Sequence, residues 1–180
     1  MVQEVLLSFS DLELPLDRDL FFRKMIRSFA KSLEETVGLD EAAGYVALVG
    51  SEIGDWIEEQ YRRTAGIKHF TPQELAELLV DMKRRIGGEF FVIEVTETQI
   101  VLGNHRCPFA ELAVGRPSLC RMTSNVFGRI VANHTGYARI DLPQTIAQGH
   151  QQCRVVIHLK PDNSAGNEDH EFFRVEEELV

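Results

Sequence analysis

Cysteine is scarce in this 180-residue chain: there are three, and no two stand in a Cys-x-x-Cys pair. That rules out the ligand spacing of a zinc ribbon and of a thioredoxin-type redox site. An odd count without disulfide-like density points to a reducing, cytoplasmic setting with free or metal-bound thiols. No stretch approaches the ~20 apolar residues that a membrane span needs. Positive charge is also short, with 19 Lys and Arg against 28 Asp and Glu and a formal net charge of −9. Such a field repels a phosphate backbone and argues against direct nucleic-acid binding. The longest basic cluster, Lys83-Arg84-Arg85, falls at the end of a predicted helix, where cations complement the helix dipole. The apolar segment from Met1 to Leu16 carries Glu4, Asp11 and Glu13 and no basic n-region, unlike a signal peptide.

Catalytic signatures are missing as well. There is no G-x-S-x-G elbow, P-loop, Rossmann glycine pattern or H-E-x-x-H. Gly50-Ser51-Glu52-Ile53-Gly54 places glycines on a helix and meets none of them. Acid/base couples such as Glu52 with Asp55, or Asp141 with His158, can be named, but any acidic domain offers such pairs. The expectation is a binding or sensing domain, not an enzyme.

What is present is an average globular composition, 44% hydrophobic and 26% charged, enough for one domain with a substantial core. Asp17 can cap a helix with Phe22, Met25, Ile26, Phe29, Leu33 and Val37 on one stripe, and Gly38 can stop it. Asp40 opens a second helix, with Tyr45, Leu48, Val49, Ile53, Trp56, Ile57 and Tyr61 expected inward and an end near Gly66. Its glycines, Gly44, Gly50 and Gly54, leave a flat strip that suits either tight packing within the monomer or a homodimer seam. Thr71-Pro72-Gln73-Glu74 is a capping box with proline at the first helical position. Leu75, Leu78, Leu79, Met82 and Ile86 form the stripe behind it, ending at Gly87-Gly88.

The pattern turns β-rich at Glu89. Residues 89–95 and 99–103 read as a hairpin about Thr96-Glu97-Thr98. Pro117 starts a fourth helix carrying Leu119, Met122, Val126, Phe127, Ile130 and Val131. Residues 137–142 and 153–159 are two further strands. The fold class expected is α+β, an N-terminal three-helix layer (17–87) followed by a β-β-α-β-β antiparallel four-stranded sheet (89–160). Residues 1–160 then make one domain and 161–180 a flexible C-terminal tail, in which 170–175 is apolar enough to dock as an edge strand or on a partner.

Chemistry concentrates at Cys107, Cys120 and Cys153. They are expected just after the first hairpin, in the first turn of the fourth helix and at the start of the last strand. A helix N-terminus favours a thiolate, and thiolates hold soft or borderline metals and iron–sulfur clusters. His105, His134 and His150 are candidate fourth ligands, of which His105 and His150 stand close to a cysteine in sequence. Buried free cysteine equally packs as a small hydrophobe. An apolar ligand pocket between helices and sheet is the alternative, with Phe90, Phe91, Phe109, Phe127 and Tyr137 as candidate linings.

Gly103-Asn104-His105-Arg106-Cys107-Pro108-Phe109, Pro117-Ser118-Leu119-Cys120 and Gly149-His150-Gln151-Gln152-Cys153-Arg154-Val155 together resemble the methanogen output domain, a small sensory domain of signalling proteins. Their cysteine order is similar to that of iron–sulfur-sensing repressors of the ArsR class, and more distantly the stretch resembles vinyl-reductase-type small-molecule-binding domains. The resemblance implies that Cys107, Cys120 and Cys153 could hold an iron–sulfur cluster or zinc. It does not extend to a winged helix in front, since the acidic helices here do not look like one. The expectation is a cytoplasmic regulatory sensor, homodimeric in the sense that a glycine seam would allow, that binds a metal, cluster or small ligand and signals to a partner protein. The alternative is a metal-free apolar small-molecule-binding domain.

Overall fold

The computed structural model describes residues 13–161 and 170–174. The apolar segment before residue 13 and the expected flexible link at 162–169 lie outside the described residues. Helices α1 (Arg18–Val37), α2 (Leu39–Ala65) and α3 (Pro72–Arg85) come first. Strands β1 (Phe90–Val95) and β2 (Gln99–Asn104) follow, then α4 (Ser118–Thr135), β3 (Tyr137–Gln144), β4 (Cys153–His158) and β5 (His170–Phe173). The strands form one antiparallel sheet in the order β1-β2-β4-β3-β5. The α+β class holds, with one strand more than the four expected. β5 pairs with β3 at the sheet edge, and Phe172 lies flat over Gly128 of α4, where a Cβ would come within 2.1 Å of its ring. Only a distant glycine makes that berth, which is why local sequence could suggest an edge strand but not fix one.

Local signals set the helix ends. The Asp17 side chain accepts from the Leu20 amide, Thr71 and Glu74 form the reciprocal capping box, and Gly66 closes α2 with left-handed backbone at φ 69°. These pairings satisfy amides and carbonyls that have no partner inside the helix. α3 and α4 cover one face of the sheet. The core runs through Leu75, Leu79, Met82, Ile100, Leu102, Phe127, Ile130, Val131, Ile140, Val155 and Ile157.

The face that α2 buries most deeply is not the one its large residues predict, although Ile57 and Tyr61 do pack against the core as expected. Ala42, Val46, Gly50, Gly54 and Glu58 are buried, while Tyr45, Leu48, Val49, Ile53 and Trp56 are exposed. The buried positions recur every four residues along one side of the helix, and three of the five are alanine or glycine. A Cβ on Gly50 would meet Asn125 Cβ at 2.6 Å, and one on Gly54 would meet Arg129 Cβ at 3.2 Å. The glycine strip is therefore the intramolecular seam between α2 and α4. Dispersion at close backbone approach replaces the burial of bulky side chains there. Phe22 and Phe29 of α1 are likewise exposed, not part of a buried stripe.

Glu58 is tolerated inside this seam because it is fully engaged. It accepts from Asn133 at 2.5 Å and faces His134 Nε2 at 3.2 Å, whose Nδ1 accepts from the Phe70 amide at 3.1 Å. Burial pushes the Glu58 carboxyl up, but the hydrogen bonds and charges of His134, Asn133 and Arg62 outweigh it and leave the pKa below the ordinary value. Among the described residues no helix is long and apolar enough to cross a membrane.

Candidate functional site: a thiol pocket with a buried lysine

Three separate elements bring the cysteines together. Cys107 follows β2 on a loop tied back to β1, where Glu89 N donates to Arg106 O (3.0 Å) and His105 N to Glu89 O (3.1 Å). The chain then tightens into a 3-10 turn, Ala110–Ala113, through Ala110 at φ 48°, a left-handed conformation that is uncommon for a residue with a side chain. The Ala110 amide donates to the Cys107 carbonyl at 2.8 Å and closes the turn. Cys120 stands in the first turn of α4. Cys153 opens β4 opposite Asn104, and its sulfur accepts from the Ile146 amide at 3.3 Å and from Asn104 Nδ2 at 3.8 Å. All three line one small cavity of about 30 Å3, walled by Phe90, Pro108, Phe109, Leu119, Leu142 and Val155 and edged by Asn104, Thr123 and Thr145.

The expectation that the helix N-terminus would acidify Cys120 is overturned. Burial pushes its thiol up to about 11, against the smaller opposing help of the Thr145 hydrogen bond and Lys83. Burial raises Cys107 too. Both desolvation effects favour the neutral S–H.

Lys83 is the residue that sequence reading missed. Of the basic cluster, Arg84 and Arg85 serve the helix end and pair with Asp81, Arg85 at 2.6 Å. Lys83 turns inward and is 5% exposed. Its Nζ donates to Thr123 Oγ1 at 3.0 Å and lies 5.0 and 5.6 Å from the ring centroids of Phe127 and Phe90. Burial lowers its pKa to about 8. A signal was present: Lys83 stands four residues after Leu79 and eight after Leu75, on the apolar stripe of α3.

The candidate fourth ligands do not join the cysteines. His105 is exposed and stacks on Phe91, centroids 4.7 Å apart, and His150 is exposed with Nδ1 3.1 Å from Thr145 O. His134 belongs to the α2–α4 seam. Among the described residues no three His, Cys, Asp or Glu side chains are disposed to hold a metal ion. As arranged, the thiols do not fit zinc or an iron–sulfur cluster.

The candidate aromatic linings divide. Phe90 and Phe109 wall the cavity. Phe127 is wholly buried between Phe90 and Lys83. Phe91 covers Gly103 on the other sheet face, and Tyr137 packs on Phe173 and donates to Glu171 at 2.7 Å. A second, apolar cleft of about 520 Å3 lies between α1, α2 and α4, lined by Ile26, Phe29, Leu33, Tyr45, Val49 and Met122. Leu119 borders both this cleft and the thiol cavity.

Comparison with known proteins agrees with this architecture. A family model described as methanogen output domain 1 matches residues 25–158. No curated protein matches the sequence. Among solved structures the fold is similar to the phenol-responsive sensory domain of the transcription activator PoxR, crystallised with phenol. The TM-score is 0.64 and the identity 14%, over 81% of this chain and 76% of that one. An identity that low carries the fold alone. The family match spans helices, sheet and all three cysteines, and on that ground the chain belongs to the methanogen output domain 1 family.

Proposed function

We propose that this domain is a cytoplasmic regulatory sensor whose receptor site is the pocket of Cys107, Cys120 and Cys153, and that it acts as a homodimer on a partner protein. The observation that carries the reading is the meeting of three thiols, distant in sequence, at one cavity. The fold likeness to the sensory domain of a transcription activator supports a sensing role. A cavity of about 30 Å3 holds two or three water-sized bodies, a water needing roughly 10–15 Å3. A small ligand fits it as it stands, whereas among the described residues no three side chains are disposed to hold a metal ion.

The route outward is short. Cys120 is on α4, α4 packs on α2 through the glycine strip, and the outer face of α2 carries Leu48, Ile53 and Trp56. A shift of α4 on ligand binding would move α2 with it, because backbones in direct contact cannot slide independently. The exposed apolar face is the dimer surface in this reading, so the seam is made by large residues and not by glycines.

A second reading is favoured by the apolar cleft under Leu119 and by the phenol-responsive neighbour: a metal-free domain that binds a small apolar molecule there. One experiment separates the two. The protein is purified anaerobically and analysed by native mass spectrometry, visible spectroscopy and Fe, Zn and sulfide determination, beside C107S, C120S and C153S. The thiol-pocket reading expects a bound mass or metal that all three variants lose. An occupant retained by the serine variants and lost in V49W moves the site to the cleft. Protein that is empty on isolation and after reconstitution defeats both.

A further inference from the structure

A cavity of about 320 Å3 beside the first turns of α4 has no part in the reading above. It is lined by Arg121, Ser124, Asp141 and Gln148, with Ile140 and Leu142 supplying apolar wall. Cys120, Leu142 and Thr145 border both this cavity and the thiol pocket. Its polar groups are unequally satisfied. Arg121 is half-buried, and among the described residues its side chain makes no hydrogen bond, ion pair or ring contact. Ser124 is 2% exposed, and its hydroxyl likewise has no partner there. A buried hydroxyl without a partner is uncommon, because folding strips its water and returns nothing. Gln148 Oε1 accepts from Thr145 Oγ1 at 3.0 Å, which leaves the amide NH2 with two donors to offer. Three side chains of one wall thus present donors that nothing among the described residues accepts. Asp141, the carboxylate of this lining, is already matched by His158 at 2.6 Å and Arg139 at 3.5 Å.

We infer that this pocket binds a small organic carboxylate, whose charge Arg121 matches and whose oxygens accept from Ser124 and Gln148. Donors without acceptors call for lone pairs, and a guanidinium makes its strongest hydrogen bonds to an ionised oxygen. The start of α4 is the positive end of that helix and favours the same sign. Ile140 and Leu142 call for an apolar body behind the charge, and the volume lies at the low end of small-molecule sites. An inorganic ion would leave that apolar wall uncovered. The inference goes beyond the thiol-pocket reading and does not depend on it, although an occupant here lies against Cys120.

The test is calorimetric titration of the full chain with sodium butyrate and sodium benzoate, and with the two matching alcohols, at constant ionic strength. At least one acid is expected to bind saturably, and its alcohol about tenfold more weakly or worse. R121Q should weaken that acid about ten- to hundredfold through loss of a charge-assisted pair, and S124A about three- to tenfold. Cys107 and Cys153 line the thiol cavity and not this one, so C107S and C153S should bind the acid as the wild type does. No saturable binding of either acid overturns the inference, as does an alcohol that binds as well as its acid. Unchanged binding in R121Q or S124A overturns it too. Loss of binding in C107S and C153S does the same by moving the ligand into the thiol cavity. Should R121Q fail to fold, amide chemical-shift changes in the isotope-labelled wild type decide. Changes centred on Arg121, Ser124 and Gln148 support the inference, and changes centred elsewhere overturn it. A bound mass lost in all three serine variants, together with failure here, leaves the receptor reading standing and removes this second site alone.

Discussion

Lys83 shows how one residue changes the chemistry of its surroundings. Burial lowers its pKa from 10.5 to about 8, so between those values the unfolded chain binds more protons than the folded one. Stability therefore rises with pH across that window as far as Lys83 is concerned. The raised thiol of Cys120 works the other way, from 9.0 to about 11, since there the folded state holds the proton. Measuring urea unfolding of the wild type and K83M from pH 7 to 11 separates the two. The wild-type minus K83M difference should climb from pH 8 and level off above 10.5. A flat difference would place the Lys83 amine in water. Neither group was legible in this respect from sequence. The basic run looked like a helix-end cluster, and two of its three members behave as one.

At the scale of elements, α2 and α4 teach that side-chain size, not hydrophobicity alone, chooses the buried face. Gly44 and Gly50 lie on the same helix, yet a Cβ on Gly44 meets nothing within 4 Å while one on Gly50 meets Asn125 Cβ at 2.6 Å. Gly44→Ala should stabilise by up to about 1 kcal/mol through helix propensity. Gly50→Ala should destabilise by about 1–3 kcal/mol as α4 is pushed away. Denaturant unfolding of the two variants checks both signs, and a Gly50→Ala protein as stable as the wild type would show that the seam is loose. The caps at Asp17 and Thr71 and the hairpin at residues 96–98 were readable because their partners lie within three residues.

For the whole molecule, the largest consequence is the apolar surface left on α1 and α2. Phe29, Leu48 and Trp56 are 67, 71 and 61% exposed, large apolar side chains of the kind that protein–protein contacts cover. Sedimentation velocity should find a dimer at micromolar concentration. Leu48→Glu and Trp56→Glu should each yield a folded monomer, because a carboxylate at the centre of a dry contact is left unpaired. A wild type that sediments as a monomer would remove the dimer from the proposed function. The same surface explains an error of pattern reading: the helical period was right, but it does not say whether a stripe faces the core or the outside.

The sequence by itself determined the element order, the helix ends, the α+β class and the identity of the three thiols, all of which rest on spacing and short-range capping. Tertiary structure alone decided which stripe of α2 is buried, that a fifth strand docks over Gly128, and that Lys83 turns inward onto Thr123, Phe90 and Phe127. Each of these depends on contacts between residues far apart in the chain. Burial, which sets both packing and charge, is a property of such contacts and not of any one segment.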